Sequence, residues 1–281
     1  MTDRSDTQNL ALFCDFENVA LGVRDAEYDK FDIQKVLERL LLKGNIVVKK
    51  AYSDWDRYKT FKRPMHEAAF ELIEIPHTKL SGKNSADIRM VVDALDLCYT
   101  KPHVETFVII SGDSDFSPLV SKLRENNKLV IGIGVKQSTS DLLIANCDEF
   151  IFYDDLVRKR DTKAKAKKKK TTKASASRKP ATADADAAEL DANEDGNQQK
   201  ALDLVMATLE DLFEERGEEQ KIWGSMVKQT LKRRHPGFSE SYHGFRSFAK
   251  LLEEARDRKL LNLEHDERSG GYTITRFERD D

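Results

Sequence analysis

Hydrophobic and polar positions divide the chain into two patterned regions separated by an unpatterned one. In the first region, short apolar runs alternate with stretches of helical period. Leu10–Cys14, Asn45–Tyr52, Phe107–Ile110, Leu129–Val135 and Glu149–Tyr153 are apolar, β-prone runs, and Phe70–Ile75 (FELIEI) alternates; each predicts a strand. Phe31–Lys43 sets Phe31, Val36, Leu37, Leu40 and Leu41 at helical spacing, and Lys43-Gly44 is a stop signal. Tyr58–Ala69 predicts a helix interrupted near Pro64. Ser85–Tyr99 predicts a helix capped by Ser85, with Ile88, Val91, Val92, Leu95 and Cys98 inward. Pro118–Asn126 and Thr139–Asn146 complete the set. Strands separated by helices at this spacing imply a parallel sheet with right-handed crossovers, an α/β class.

The second patterned region starts at Gln198. Ala201–Glu214, Ile222–Arg234 and Tyr242–Arg258 predict three amphipathic helices, with Phe245 and Phe248 on the core side of the third. Leu260–Glu264 and Gly271–Thr275 predict a hairpin. Three helices followed by a hairpin form the pattern of a small α+β winged helix.

Composition and charge sharpen this division. The net charge of −3 hides its distribution. Residues 1–156 carry 20 Lys/Arg against 26 Asp/Glu, whereas 157–180 carry 12 against one Asp, 184–195 hold six acids and no base, and 198–281 hold 15 bases and 17 acids. Segment 157–197 is of low complexity and has no aromatic residue, so it predicts a disordered basic-then-acidic linker. The expected domains are therefore 1–156, 157–197 and 198–276. The Lys-rich part would bind any polyanion with steep salt dependence, or serve only as a solvated tether. No apolar run reaches the ~20 residues of a membrane span. Cys14, Cys98 and Cys147 sit in apolar segments and read as reduced core thiols, and none of the six histidines is spaced with them as a zinc ligand. With a polar, acid-bearing start (MTDRSDTQN), the expected location is cytoplasmic.

The candidate chemistry lies where apolar runs break into acids. Asp15 ends the first strand, Asp113 and Asp115 follow the fourth, and Asp87 opens the helix at Ser85. If the first and fourth strands are neighbours, all four carboxylates meet at the C-terminal sheet edge, with Asp15 and Asp113 about one strand spacing, ~4.8 Å, apart. Asn18 adds a neutral hydrogen-bonding group. Crowded carboxylates call for a cation, and oxygen ligands alone suit Mg²⁺ or Mn²⁺. The plain alternative is that Asp113 and Asp115 cap a helix and Asp15 begins a turn. Lys79 and Lys83, in the preceding loop, would either face phosphate or be ordinary solvated surface.

F-C-D-F-E-N (Phe13–Asn18), K-N-S-A-D-I-R-M-V-V-D-A-L (Lys83–Leu95) and S-G-D-S-D-F (Ser111–Phe116) resemble the three signatures of the NYN domain, in its LabA-like branch of PIN-like nucleases. G-V-K-Q-S-T-S-D-L-L-I-A-N-C-D-E-F-I downstream extends the resemblance over residues 8–156. It implies a PIN-like three-layer α/β/α fold and a divalent-metal-dependent ribonuclease, expected to be endonucleolytic. By that resemblance Asp15, Asp87, Asp113 and Asp115 hold the metal and Asn18 positions water or phosphate. Asp93 matches a further family acid, but it lies about 600° of helix rotation from Asp87, which favours a structural role.

Ser225–Leu252, with its R-R-x-P-x-F turn and Y-x-G-F-x-S-F-x-x-L-L helix, resembles the OST-HTH or LOTUS domain. That resemblance implies RNA binding, in some members protein binding instead. Lys228, Lys232, Arg233, Arg234, Arg246 and Lys250 are the candidate phosphate contacts. Interleaved acids such as Glu253 and Glu254 leave an ordinary solvated face as the alternative. Taken together, the expectation is a ribonuclease acting on single-stranded or structured RNA. Its rivals are a non-catalytic RNA-binding regulator and a protein-interaction adaptor.

Overall fold

The structure is a computed structural model that describes residues 8–28, 30–75, 85–157, 185–216, 221–266 and 271–276. The chain divides into two compact units, Met1–Lys167 and Lys168–Asp281.

The first unit is built on six strands: β1 (Gln8–Asp15), β2 (Gly44–Ser53), β3 (Glu71–Glu74), β4 (Thr106–Ile110), β5 (Leu129–Gly134) and β6 (Glu149–Phe152). All pair in parallel, in the order β3-β2-β1-β4-β5-β6. The connecting helices are α1 (Phe16–Asp25), α2 (Ile33–Leu40), α3 (Lys59–Glu67), α4 (Ser85–Thr100), α5 (Ser117–Glu125) and α6 (Asp141–Asn146), followed by a helical turn at 153–157. The two-residue period of β1 sorts its side chains between two cores. Leu10, Leu12 and Cys14 join α1, α2 and α3, whereas Ala11 and Phe13 join α4, α5 and α6. Strands covered on both faces need unbroken apolar runs, which is why β1 and β4 read that way. This is the three-layer α/β/α architecture of a PIN-like domain.

Local chemistry explains several boundaries that differ from expectation. Asp15 accepts a hydrogen bond from the Asn18 amide and so starts α1, a helix absent from the expected set although Phe16, Val19 and Val23 recur at helical spacing. Pro64 lies inside α3 without interrupting it; in so short a helix only one turn precedes it. Of the expected inward face of α4, Cys98 is buried and Val91 and Leu95 pack partly buried against the core with Met90 and Ala94, whereas Ile88 and Val92 are exposed, a correction to two of its five positions. Rotating Ile88 and Val92 inward would carry Asp87 away from the sheet edge. Gly132 and Gly134 are packing sites: a Cβ there would lie 2.3 Å from the Phe150 ring and 2.4 Å from Thr139 Oγ1, respectively. Cys14, Cys98 and Cys147 are all buried and free.

The second unit comprises α7 (Ala185–Arg216), β7 (Ile222–Trp223), α8 (Gly224–Arg234), α9 (Phe248–Asp257), β8 (Leu261–Asp266) and β9 (Gly271–Arg276). Its antiparallel sheet runs β7-β9-β8. Leu202, Val205, Val227, Leu231, Leu252 and Ile274 meet in its core, and Phe245 and Phe248 are buried there as expected. Three boundaries move. The helix expected from Ile222 starts at Gly224, because Ile222 and Trp223 pair with Ile274 and Thr273 as a strand. α7 begins well before Ala201 and takes in the acidic stretch assigned to the linker, whose Ala, Glu and Leu are strong helix formers. The third helix starts only at Phe248, because turns occupy 239–247 and Ser247 supplies the cap through the Lys250 amide. The expected disorder of 157–184 concerns residues that, apart from Val157, lie outside the described ones. Among the described residues, no helix is long and apolar enough to cross a membrane.

Candidate active site

The strand order reverses between β1 and β4, and in open α/β sheets that switch point opens a crevice at the C-terminal edge. Asp15 sits there, only 7% exposed, at the junction of β1 and α1. Its Oδ1 accepts from the Asn18 amide at 3.3 Å, and its Oδ2 accepts from Ser111 Oγ at 3.1 Å. Register explains the second bond: Cys14 pairs with Ile110, so the next residues along, Asp15 and Ser111, lie side by side. The expected neighbour of Asp15 was Asp113; the structure places Ser111 there, and Asp113 reaches in from the loop two residues further on.

That loop is tied down at three points. The Gly112 amide donates to Asn18 Oδ1 at 2.8 Å, the Asp113 amide to Ser111 Oγ at 3.2 Å, and the Asp115 amide to Asp113 Oδ1 at 3.0 Å. Gly112 is required by close approach, since a Cβ would lie 2.5 Å from the Ser138 carbonyl oxygen. Asp113 thus does cap a short 3₁₀ turn at Ser114–Phe116, as the plain alternative supposes, while still facing the other acids.

Electrostatics show that the acids face one another. Burial raises the Asp15 carboxyl to about 7; Asp87 and, more weakly, Asp113 push the same way, against the bonds from Asn18 and Ser111. Asp87, in the first turn of α4, is raised by partial burial and then by Asp113, Asp115 and Glu17. Asp15, Asp87, Asp113 and Asp115 therefore share one field, with Asp115 the most exposed. Among the described residues, no three His, Cys, Asp or Glu side chains are already closed around a point as metal ligands. The donor set nonetheless fits a hard cation such as Mg²⁺, which takes one or two carboxylates, keeps waters and rarely uses an all-protein cage.

Ser111, Gly112 and Glu17 are site residues that sequence reasoning passed over. Ser111 and Gly112 stand in the S-G-D-S-D-F motif, but their role follows from register. Glu17 accepts from Arg57 at 3.1 Å and borders the cluster. Asp93 stands apart, accepting from Tyr52 Oη at 2.9 Å, Lys50 Nζ at 3.4 Å and Arg89 Nε at 3.2 Å, and so ties α4 to β2. Lys79 and Lys83 lie outside the described residues.

Residues 9–154 match the NYN domain over slightly more than half of the chain. The chain belongs to the NYN domain family. NYN domains form part of the PIN-like nuclease superfamily, whose members are hydrolases that usually use divalent metals. An uncharacterized protein of Methanocaldococcus jannaschii is 28% identical over 140 residues, 47% of this chain and 55% of the relative. The chain thus spans about half the length of that relative. A crystal structure of a protein of unknown function from Vibrio parahaemolyticus is 28% identical, covers 55% of this chain and 98% of its own, and superposes with a TM-score of 0.49. The acid edge lies within the matched segment.

At least three of the six candidate nucleic-acid contacts of the second unit pair with acids. Lys228 Nζ lies 2.8 Å from Glu240 and over the Phe248 ring, Arg234 pairs with Asp211, and Lys250 with Glu253. Lys232 is partly buried in the same helix, and Arg233 and Arg246 are exposed.

Proposed function

We propose that the NYN domain is a divalent-metal-dependent ribonuclease that hydrolyses phosphodiester bonds at the Asp15–Asp87–Asp113–Asp115 edge. The carrying observation is Asp15: a buried carboxylate, without a cationic partner among the described residues, pressed by other carboxylates. A fold tolerates that arrangement at a cost unless a cation completes it. Asp15 and Asp87, with Asp113 and Asp115 from the β4 loop, would hold Mg²⁺ or Mn²⁺. Such a cation supplies an acidified water and neutralises charge building on the phosphate. The chain's own groups set the geometry. Ser111 and the Asn18 amide fix the two oxygens of Asp15, while Asn18 Oδ1 and Ser111 Oγ pin the loop that carries Asp113.

In the same reading the domains are 1–156 and 198–276, joined by a Lys-rich segment. The second is an OST-HTH/LOTUS winged helix that binds RNA through Arg233, Arg246 and the cations beside them. Its extensive ion pairing supports a protein partner as the second reading for that domain. Cleavage is expected to be endonucleolytic and the protein cytoplasmic.

The test is incubation of the full chain with mixed single-stranded and structured RNA in Mg²⁺, Mn²⁺ or EDTA, beside Asp113→Asn. Metal-dependent cleavage that the variant lacks is expected. RNA bound but uncut in every metal would replace the nuclease with an RNA-binding regulator.

A further inference from the structure

The outer side of α1 carries a recess of about 290 Å³ that the acid cluster does not use. Four of its nine lining residues are aromatic, Tyr28, Phe31, Tyr58 and Phe61; Ala20, Leu21 and Val23 of α1 complete the apolar wall, and Arg24 and Lys30 are part of the lining. Both cations are exposed, so the charge sits at the mouth and the interior is apolar. Arg24 also pairs with its neighbour Asp25 at 3.2 Å, but a pair so exposed contributes little and leaves the guanidinium available.

The recess is mechanically continuous with the acid edge. Phe16, the residue after Asp15, packs edge-on against Tyr58 at 5.4 Å and Phe61 at 5.1 Å between ring centroids. The α1 part of the wall, from Ala20 to Arg24, begins five residues past Asp15, about 8–14 Å along the helix axis. α1 thus carries the Asp15 cap at its start and one wall of the recess further along. Partial burial, and then Glu17, raise the Tyr58 hydroxyl above its ordinary value, against Arg57 and Arg24.

We propose that this recess receives one unpaired nucleobase of a strand whose phosphodiester lies at the acid edge, while Arg24 and Lys30 face the phosphates beside it. The proposal deepens the nuclease reading and rests on it for the direction of the strand. Three features select this occupant. The interior is lined by flat rings and admits a planar group, and stacking on aromatic rings is how single strands are held without sequence choice. The cations stay outside, so the charged part of the ligand stays outside as well. The recess is small enough that a base stacked within a duplex would have to leave its partner, which makes the site selective for single-stranded segments.

The experiment uses the full chain carrying Asp113→Asn, which blocks cleavage, in Mg²⁺. Twelve-nucleotide single-stranded RNAs carry 2-aminopurine at successive positions, and fluorescence is read at salt high enough to suppress binding by the Lys-rich segment. Quenching confined to one or two adjacent positions is expected, abolished by Tyr58→Leu and retained by Tyr58→Phe. Quenching spread evenly along the strand, or unaffected by Tyr58→Leu, would overturn the site. Because Tyr58→Leu perturbs packing, Arg24→Gln with Lys30→Gln provides a second reading at exposed positions. The slope of log affinity against log salt should become shallower by about 1.4, or 0.7 per phosphate contact, and an unchanged slope would also overturn the proposal. Local quenching without cleavage by the parent chain in any metal leaves the recess standing and removes the nuclease. Cleavage without local quenching does the reverse.

Discussion

The two folded units treat charge in opposite ways. At the edge of the large sheet, Asp15, Asp87, Asp113 and Asp115 repel one another, and among the described residues none has an ion-pair partner. In the second unit, Lys228, Arg234, Lys250 and Arg258 each meet an acid: Glu240, Asp211, Glu253 and Glu254. Surface pairs of that kind cost a fold nothing and give little. A cluster of one sign with a buried member costs stability, and the backbone around Asp15 is held in place by the Ser111 and Asn18 bonds. The repulsive region is therefore where function is to be sought, and the paired region is where charge alone says least.

The largest effect should come from breaking the repulsive side. Asp87→Asn is expected to lower metal-dependent RNA cleavage at least about 100-fold, while the thermal unfolding midpoint without metal holds or rises. Cleavage within a few-fold of the parent would remove Asp87 from the chemistry.

Stability should show the same asymmetry. The Asp15 carboxyl is raised from 3.8 to about 7, so the folded state binds the extra proton between those values. Folding stability from this group is then greatest below about pH 4 and is lost as pH rises through 7. In EDTA, Asp15→Asn should stabilise the first unit at pH 8 by up to about 4 kcal/mol, with the gain fading toward pH 4. Denaturant midpoints at the two pH values check this, and a destabilised variant at pH 8 would contradict it.

On the paired side, effects should be smaller. A fragment ending at residue 156 is expected to retain cleavage of short RNA but bind long RNA more weakly, with a shallower salt dependence, read by filter binding. Equal binding at physiological salt would end that division of labour. Smallest of all, a double-mutant cycle on Arg234 and Asp211 should give a coupling below about 1 kcal/mol.

Much of this architecture was legible in one dimension. The apolar run LALFCD announced β1 and its end at Asp15, because a strand buried on both faces needs an unbroken run. The motifs around Asp15, Asp87 and Asp113 pointed to a shared edge, because β1 and β4 flank the switch point. α1 was missed: Phe16, Val19 and Val23 recur at helical spacing, but over only ten residues directly after a buried strand, and its start depends on the Asp15 carboxylate accepting from Asn18. The inward face of α4 was legible in part: Val91, Leu95 and Cys98 do pack inward, but Ile88 and Val92, as apolar as Met90 and Ala94, face out.

The sequence by itself determined the six strands of the large sheet and the C-terminal hairpin, though not the short strand Ile222–Trp223, that a basic stretch separates two patterned regions, and which acids are candidates, since periodicity and composition are local properties. Only the tertiary structure decided that Ser111 stands beside Asp15, that Asp93 braces β2, and that Tyr58 and Phe61 close a recess on α1. Those are matters of strand register, helix rotation and loop closure. They bring together residues up to about a hundred positions apart, and one residue of slip would turn each side chain to the opposite face.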